Sequence, residues 1–434
     1  MITTADAVVV GAGVIGAAVA LELARGGSTV IVVDKAGGPG QGSTSASSAV
    51  IRFNYSTWDG VAISWEAKHC WERWADHLDG GTPPLAQFRR TGFVMLDVPV
   101  TDFTSTAALF DRAGIPYELW DPHELRERVR GIDPTRHWPP KPVAADAFWG
   151  DGDGQLGALW CPDGGFVDDP QLAAINLADA AHRAGVTLMF HRRVVAVPAA
   201  HGRVAGVVLD NGDRIDAPVV VNVAGPWSTA LNNLAEVGDD FTVGVRPMRQ
   251  EVHQVPAPAG FNDGERLGPV VADIDLGTYL RPAGGDSLLV GGTEPECDPL
   301  QWIDDPDAAN PHPTPPLYEA QTTRAARRFP GLRVPAAPRG VAGVYDVAAD
   351  WTPIYDRTAL SGFYVAMGTS GNQFKNAPVA GRVVASLVSK IEAGHDHDSE
   401  PVQFVGEHTG LSIDLGSFSR RRALNSASSG TVLG

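Results

Sequence analysis

The sequence has few cysteines and no long apolar run. Its 434 residues include only three cysteines, Cys70, Cys161 and Cys297, and no two of them form a Cys-x-x-Cys pair. This spacing argues against a disulfide framework and against a zinc site, so we expect free thiols in a reducing compartment. No apolar stretch approaches the length of about 20 residues that a membrane-spanning helix needs. The sequence therefore predicts a soluble, cytoplasmic protein.

Positive charge is also scarce. The chain has 34 lysines and arginines against 51 aspartates and glutamates, which gives a formal net charge of −17. Such an acidic protein repels nucleic acids and anionic membrane surfaces, so we expect neither as a partner. Hydrophobic residues make up 44% of the chain and charged residues 20%, as in ordinary globular proteins. The length is sufficient for two domains.

A βαβ unit with a dinucleotide-binding fingerprint extends from Ala7 to Asp34. A short apolar run predicts a buried strand, and a Gly-x-Gly-x-x-Gly turn connects it to a helix and to a second apolar strand that ends in Asp34. Gly11 permits a tight turn, Gly13 lets the backbone approach a pyrophosphate, and Gly16 lets the helix pack closely on the strand. The helix N-terminus attracts phosphates, and Asp34 is placed to bind ribose hydroxyls. A bound dinucleotide is therefore favoured over a packed turn without a ligand.

Other glycine-rich segments also predict loops and helix starts that can bind a ligand. Residues 35–48 predict a loop whose backbone amides and hydroxyls can hold a second part of the cofactor. Residues 219–228 predict another buried strand that ends in a glycine turn and a helix start, and residues 362–392 repeat this arrangement. The proline-rich residues 304–316 are expected to form a surface loop, and the chain after residue 410 shows little periodicity.

Two cations lie in unusual surroundings. Arg52 belongs to an apolar and aromatic segment, and Lys375 ends the glycine-rich loop that begins at Gly368. A charge in such surroundings is costly unless it has an anionic partner. The partner is either a substrate carboxylate in a pocket of low dielectric constant or a carboxylate of the chain in a structural ion pair.

Several local signals predict individual elements. Spaced tryptophans predict an amphipathic helix over residues 58–78. Asp121, Pro122 and Glu124 predict a helix with a capping box, and Asn211–Gly212 predicts a hairpin turn. Residues 395–398 (His-Asp-His-Asp) have no third ligand at a suitable spacing, so we predict a solvated loop and no metal site.

Together these motifs resemble those of the D-amino acid oxidase superfamily of flavoproteins, above all its sarcosine oxidase and dimethylglycine dehydrogenase branch. The resemblance covers nearly the whole chain, through the fingerprint and residues 50–55, 165–168, 222–227, 343–350 and 368–375. It implies an α/β fold with a discontinuous Rossmann-like FAD-binding domain, residues 1–80, 160–235 and 336–434. It also implies a substrate-binding domain with a mainly antiparallel sheet, residues 81–159 and 236–335.

The motifs and the resemblance select as candidate cofactor-binding residues Gly11, Gly13, Val14, Ile15, Gly16, Asp34, Lys35, Ser43, Thr44, Ser45, Ser48, Val194, Ala224, Gly225, Trp227, Gly343, Gly371, Asn372, Gln373, Phe374 and Lys375.

The resemblance also implies an activity and a substrate site. In sarcosine oxidases, an arginine in an Ile-Arg-x-x-Tyr segment and a lysine at the end of the last glycine-rich loop contact the substrate carboxylate or lie beside it. The matching residues are Arg52 and Lys375, and the further candidate catalytic residues are Tyr345 and Arg281. The implied reaction is FAD-dependent oxidation of a C–N bond in an amine or amino acid that carries a carboxylate. A hydride equivalent passes to flavin N5, the imine product hydrolyses, and O2 or another acceptor takes the electrons.

Two positions differ from those oxidases. Monomeric sarcosine oxidases attach FAD through a cysteine at the position of Gly343, so we expect noncovalent FAD. They also use a lysine in a Leu-Lys-x-Gly strand to help oxygen react, and the matching residue is Leu289. The choice between oxidase and dehydrogenase stays open. The alternatives are oxidation of a 2-hydroxy acid or polyol on the same fold, and a flavin subunit that passes electrons to a partner subunit.

Overall fold

The computed structural model describes residues 2–101, 103–264 and 266–434. Within these ranges the helices are α1 (Val14–Arg25), α2 (Trp58–Glu72), α3 (Trp74–His77), α4 (Phe103–Ala113), α5 (Pro122–Arg128), α6 (Pro170–Arg183), α7 (Ser228–Leu234), α8 (Pro315–Arg328) and α9 (Ala377–Glu392). The strands are β1 (Ile2–Thr4), β2 (Ala7–Val10), β3 (Val30–Val33), β4 (Val50–Ile51), β5 (Phe88–Arg89), β6 (Phe93–Leu96), β7 (Glu118–Trp120), β8 (Ala158–Cys161), β9 (Gly165–Val167), β10 (Thr187–Met189), β11 (Val194–Ala196), β12 (Ala199–Ala200), β13 (Arg203–Val204), β14 (Gly206–Leu209), β15 (Arg214–Asp216), β16 (Val219–Asn222), β17 (Val245–Pro256), β18 (Val270–Asp273), β19 (Thr278–Ala283), β20 (Ser287–Gly292), β21 (Gln301–Trp302), β22 (Gly340–Ala348), β23 (Ile354–Arg357), β24 (Phe363–Met367), β25 (Gln403–Val405) and β26 (Ser412–Asp414).

The βαβ fingerprint lies in a six-stranded sheet with the order β10-β3-β2-β16-β24-β23. Neighbouring strands run parallel except for β23, which is antiparallel to β24. The central strands are almost entirely apolar because both faces of the sheet are covered. Helices α1, α6 and α9 pack on one face, and the small sheet β1-β15-β14-β11 packs on the other.

The topology brings three glycine turns to one edge of this sheet. Strands β2, β16 and β24 are adjacent and parallel, so the loops that follow them meet at their carboxyl ends. Helix α9 packs closely on α1, since a Cβ on Gly381 would lie 2.7 Å from the backbone of Ala18. This edge is the place where an open parallel sheet binds a ligand.

The second large sheet has nine strands, β21-β17-β20-β19-β18-β6-β8-β7 with β22 paired to β17. All of its pairs are antiparallel except β18 with β6. The α/β fold with a mainly antiparallel second sheet is therefore confirmed. Strand β22 is predicted to belong to the FAD-binding domain, yet it pairs with β17 along its whole length. The division into domains at the predicted boundaries stays a prediction.

Predictions from local sequence agree with the structure for elements that depend only on contacts between neighbouring residues. The capping box at Asp121 is formed, and the Asn211–Gly212 turn joins β14 to β15. The single helix expected over residues 58–78 is wrong, because the chain leaves helical geometry at Arg73 (ψ 46°) and starts the short α3. None of the helices in the described ranges is long and apolar enough to span a membrane.

The loop of residues 395–398 differs from the solvated loop that the sequence predicts. His397 is buried, and its Nδ1 accepts the backbone N–H of Val402 at 3.0 Å. Asp398 accepts two hydrogen bonds from Arg420, at 2.8 and 2.9 Å. The prediction of a solvated loop is therefore wrong for His397, because its ring is enclosed in the protein with Nε2 3.6 Å from Asp356 Oδ1. In the described part of the chain, no three or more metal-ligating side chains are grouped so that they could hold an ion.

A buried ion pair joins α8 to the large sheet. Arg328 Nε lies 2.8 Å from Asp273 Oδ2, and Arg328 Nη2 lies 2.6 Å from Asp275 Oδ2. Burial and the neighbouring charge of Asp273 raise the pKa of Asp275 to about 6. The guanidinium therefore balances two carboxylates that would otherwise repel each other inside the protein.

Replacement of this arginine should destabilise the fold. We expect Arg328→Leu to lower the free energy of unfolding by about 3–5 kcal/mol, since it leaves buried carboxylates uncompensated. Urea unfolding followed by tryptophan fluorescence measures the change. Arg333→Leu, at an exposed residue just after the same helix, is the control and should change it by about 0.5 kcal/mol or less. Equal stability of the two variants would contradict this role.

Candidate active site

A cavity of about 560 Å3 lies at the edge where the carboxyl ends of β2, β3, β16 and β24 meet. The βαβ fingerprint, the loop after β3, the turn after β16 and the last glycine-rich loop all contribute to its wall. The predicted cofactor-binding residues in its lining are Gly11, Gly13, Val14, Ile15, Gly16, Asp34, Lys35, Ser43, Thr44, Val194, Ala224, Gly225, Trp227, Gly371, Gln373 and Phe374.

Glycines let the backbone close tightly at the base of this cavity. Gly11 has a φ of +113°, and a Cβ there would lie 2.3 Å from the carbonyl oxygen of Val223. A Cβ on Gly16 would lie only 2.0 Å from the carbonyl oxygen of Gly11. Helix α1 therefore begins directly against the turn, and its first residues line the cavity. The N–H of Val14 donates to Thr44 Oγ1 at 3.1 Å, which ties the next loop to the helix start.

The carboxylate of Asp34 is held at the cavity wall by two backbone amides. Its Oδ2 accepts the N–H of Ala12 at 2.6 Å, and its Oδ1 accepts the N–H of Ala36 at 2.7 Å. A carboxylate has further acceptor capacity beyond two bonds, so it can still accept hydrogen bonds from hydroxyl groups of a ligand.

Charged residues cluster at another part of the large cavity, and three of them, Arg192, Arg193 and Asp307, are not selected by the sequence motifs. Lys35 Nζ lies 3.7 Å from the centre of the Trp227 ring. Asp307 accepts the indole N–H of Trp227 at 2.9 Å, and it forms ion pairs with Lys35 and Arg193. Arg192 and Arg193 also line the cavity. Asp307 belongs to the proline-rich segment expected to be a surface loop, and nothing in its neighbouring residues indicates this contact.

A second, smaller cavity of about 60 Å3 adjoins the large one. Ser47, Tyr345, Gly371 and Phe374 line both, so these residues form the boundary between them. The small cavity is also lined by four candidates from the sequence, Arg52, Lys375, Ser48 and Asn372, by the further tyrosine Tyr279, and by strand residues of the large sheet, Phe93, Val270 and Ala272. The fold thus brings Arg52 and Lys375 together beside the large cavity.

Arg52 and Lys375 are buried, with 5% and 3% of their surfaces exposed. Both cations lie over the ring of Tyr55, at 4.9 and 4.8 Å from its centre. Arg52 donates to the backbone oxygens of Asn54 and Val432, and Lys375 Nζ donates to the backbone oxygen of Asn372 at 2.6 Å. Neither forms an ion pair with a carboxylate of the described residues. The structural ion pair considered from the sequence is therefore not formed there.

The pKa values of both cations reflect this lack of an anion. Burial lowers the pKa of Arg52, and burial together with the charge of Arg52 takes the pKa of Lys375 well below its usual value. A bound carboxylate would oppose both shifts, because an opposite charge favours the protonated forms. The small cavity is thus suited to an anion of carboxylate size.

Two tyrosines at the small cavity remain neutral hydroxyl groups. Burial raises the pKa of Tyr279 to about 12, and its hydroxyl lies 2.6 Å from Ser48 Oγ. Burial likewise raises the pKa of Tyr345 well above its usual value. Neutral phenols can donate a hydrogen bond without adding charge to a cavity that already holds two cations.

Three predicted site residues lie outside the linings of both cavities. The guanidinium of Arg281 packs 4.0 Å from the centre of the Phe166 ring and donates to backbone oxygens. Ser45 Oγ donates to the carbonyl of Gly42 at 3.1 Å, and Gly343 lies in β22. These residues were predicted from their positions in sequence motifs, which do not show the direction of a side chain. Direct contact of these three with a ligand in either cavity has no support from this geometry.

A model of the DAO family, described as FAD dependent oxidoreductase, matches residues 6–387 of this chain. The chain belongs to this family. Glycine oxidase of Geobacillus kaustophilus is 26% identical over 406 residues, covering 90% of this chain and 94% of that protein. Sarcosine oxidase subunit beta of Rhodobacter capsulatus is 25% identical over 399 residues, covering 89% and 85%. The crystal structure of L-proline dehydrogenase from P. horikoshii has the same fold, with a TM-score of 0.76, 21% identity and coverage of 97% and 98%.

As a DAO family member, this protein is an FAD-dependent oxidoreductase, and the large cavity fits FAD. The turn admits no side chain at Gly11 or at Gly16, as the tight turn and the close packing of the helix in a dinucleotide-binding fingerprint require. The start of α1 offers backbone donors to phosphate oxygens, and Asp34 offers acceptors to ribose hydroxyls. Neither cavity lining, as far as the described residues show, includes any of the cysteines.

The glycine turn provides a test of FAD binding. In Gly16→Ala the new methyl group would clash with backbone atoms of Gly11, so the start of α1 must move away from the phosphates. Overpacking of this kind costs about 1–3 kcal/mol, and we expect a loss of FAD affinity of roughly tenfold or more. The measurement is the FAD retained after dilution and desalting, read from the visible flavin absorption. Gly284→Ala, where a Cβ meets no atom within 4 Å, should retain FAD; equal retention in both variants would contradict the assignment.

Proposed function

We propose that this protein oxidises the C–N bond of an amine that carries a carboxylate, an amino acid or an N-alkyl amino acid, and leaves an imine that hydrolyses. The supporting observation is the pair of buried cations, Arg52 and Lys375, at a small cavity beside the FAD cavity. Neither has an anionic partner among the described residues, so the pair favours an acidic substrate. The similarity to glycine oxidase and to sarcosine oxidase subunit beta supports an amine substrate.

The residues of the small cavity would position the substrate. Arg52 and Lys375 hold its carboxylate, and the apolar side chains of Phe93, Val270 and Ala272 exclude water from the rest of the molecule. Tyr345 lines both cavities and can donate a hydrogen bond at their boundary. When bound, FAD supplies an acceptor for a hydride equivalent. The protein itself orients the substrate and provides the electrostatic field around it, so no strongly basic side chain is required.

The residue at position 289 bears on which molecule accepts the electrons from the reduced flavin. Leu289 occupies the place where the sarcosine oxidases carry a lysine that helps oxygen react, and it pairs across the sheet with Arg281. We infer that oxygen reacts slowly and that another acceptor, such as a partner subunit, takes the electrons. FAD would be held without a covalent bond, since Gly343 stands at the attachment position.

Removal of the Arg52 charge tests the substrate class. We expect Arg52→Met to raise the half-saturating substrate concentration about 30-fold or more, because loss of one partner from a buried charge pair costs at least about 2 kcal/mol. The measurement is anaerobic bleaching of the visible flavin band by N-methyl amino acids, cyclic imino acids, primary amino acids and 2-hydroxy acids. Readmission of air then distinguishes an oxidase, which regains its colour at once, from a dehydrogenase.

The control for this substitution is Arg246→Met, at an exposed arginine over Trp302, which should bleach as the unaltered protein does. Bleaching by 2-hydroxy acids alone would overturn the amine proposal and favour the hydroxy-acid alternative. Bleaching by amines that does not depend on Arg52 would remove the carboxylate role from this residue.

The affinity for a carboxylate should depend on pH through Lys375. Its pKa is depressed, and a carboxylate binds the protonated amine more tightly, so affinity falls as the pH rises through this lowered pKa. Spectral titration of the flavin with benzoate at several pH values measures the effect. In Lys375→Met this fall should be absent, whereas Lys390→Met, on the outer side of α9, should keep it. An unchanged pH profile in Lys375→Met would contradict a titrating lysine at the site.

A further inference from the structure

The segment of residues 431–434 contributes two residues to the wall of the small cavity. Val432 and Leu433 line it, and Leu433 is 8% exposed. A Cβ on Gly434 would lie 2.7 Å from a ring carbon of Tyr55. By contrast, residues 423–431 are exposed or half-buried. Leu433 packs with the apolar core of the large sheet, so displacement of the segment would expose this one side chain, whereas the residues before it are already in contact with solvent.

Val432 forms backbone hydrogen bonds with two buried side chains, one basic and one acidic. Its carbonyl oxygen accepts from Arg52 Nη2 at 2.5 Å, and its N–H donates to Glu294 Oε2 at 2.9 Å. Glu294 is 8% exposed and makes no ion pair with a described residue. Its other oxygen accepts the amide of Gln250 at 2.8 Å. Val432, which lines the small cavity, thus bridges the buried guanidinium of Arg52 and a buried carboxyl that lies outside the cavity lining.

The two contacts correspond to the two functional groups of an α-amino acid. The N–H and the carbonyl of Val432 flank one Cα, just as the amino group and the carboxylate of an α-amino acid share one carbon. A free amino acid in this place would present its carboxylate to Arg52 and its amino group to Glu294. Both contacts would then join groups of opposite charge and be stronger than the present bonds to a neutral backbone.

We propose that Arg52 and Glu294 clamp an α-amino acid by its carboxylate and its amino group, and that Val432 occupies this clamp as an internal mimic of the substrate. The proposal rests on the proposed amine oxidation and makes the substrate more specific: the clamp favours α-amino acids over β- and γ-amino acids. Substrate and the segment 431–434 exclude each other. Burial raises the pKa of Glu294 to about 8, and an ammonium group beside it would favour the ionised carboxylate.

Two planar ligands that the enzyme cannot oxidise at an amine carbon test the clamp in the FAD-loaded protein. Pyrrole-2-carboxylate has an N–H next to the carbon that bears its carboxylate, and 2-furoate has a ring oxygen there. Flavin spectral titration should show pyrrole-2-carboxylate binding at least about tenfold more tightly, a difference of about 1.4 kcal/mol. In Glu294→Leu this preference should be lost, and in Glu296→Leu, at an exposed neighbour, it should remain. Equal affinities in the unaltered protein, or no binding of either ligand, would overturn the clamp.

The internal mimic is tested through Val432. Val432→Pro lacks the N–H that Glu294 accepts, so the segment should compete less well, and both ligands should bind several-fold more tightly. Val432→Ala keeps both backbone groups and should behave as the unaltered protein does. A variant without residues 424–434 should match Val432→Pro. Weaker or unchanged ligand binding in both Val432→Pro and the shortened chain would show that the segment is only a wall of the site.

Hydrogen exchange separates this proposal from the proposed function. Pyrrole-2-carboxylate should accelerate amide exchange in residues 431–434 of the FAD-loaded protein, because it displaces them from Glu294 and Arg52. Acceleration without bleaching by any amine would refute the proposed oxidation and keep the clamp. Bleaching by amino acids with slower or unchanged exchange in this segment would keep the oxidation and refute the internal mimic.

Discussion

The arrangement of the whole molecule depends on one steric constraint, the backbone contact between the turn after β2 and the end of β16. Gly11 lies so close to the Val223 carbonyl that no Cβ fits between them, and Gly16 lies equally close to Gly11. This contact fixes the start of α1 at the sheet edge where the loops after β16 and β24 also end. The cavity that fits FAD forms at this edge because three chain segments converge there and none fills it.

Electrostatics determines what lies beside that cavity. The large sheet reaches the same edge through β22, since Tyr345 lines both cavities and the backbone oxygen of Asp346 accepts the N–H of Ser370 at 2.9 Å. Arg52 and Lys375 are thereby enclosed without a carboxylate partner, an arrangement that costs free energy in the absence of an anion. The pair therefore favours an anionic ligand, in contrast to Arg328, whose two carboxylate partners are part of the fold.

Elements whose signals lie within a few residues were predictable. The capping box at Asp121 and the hairpin at Asn211–Gly212 depend on contacts between neighbours, and both form. The burial of His397 was not predictable, because the residue beside it, Asp356, is far from it in the chain. The break of the helix at Arg73 has no signal in the spacing of the tryptophans. Asp307 likewise binds Trp227 from a loop that its own composition describes only as proline-rich.

By itself the sequence determined the βαβ fingerprint and the two cations in apolar surroundings, and its resemblance to a known family implied the FAD-dependent type of enzyme. Short sequence motifs encode these features, and adjacent residues determine the geometry of each motif. Only the tertiary structure decided that Arg52 and Lys375 share a cavity, that Arg281 packs on Phe166 instead, and that Val432 bonds to both Arg52 and Glu294. Such contacts join residues far apart in the chain, and they depend on the direction of each side chain and on the path of the backbone, which no local pattern encodes.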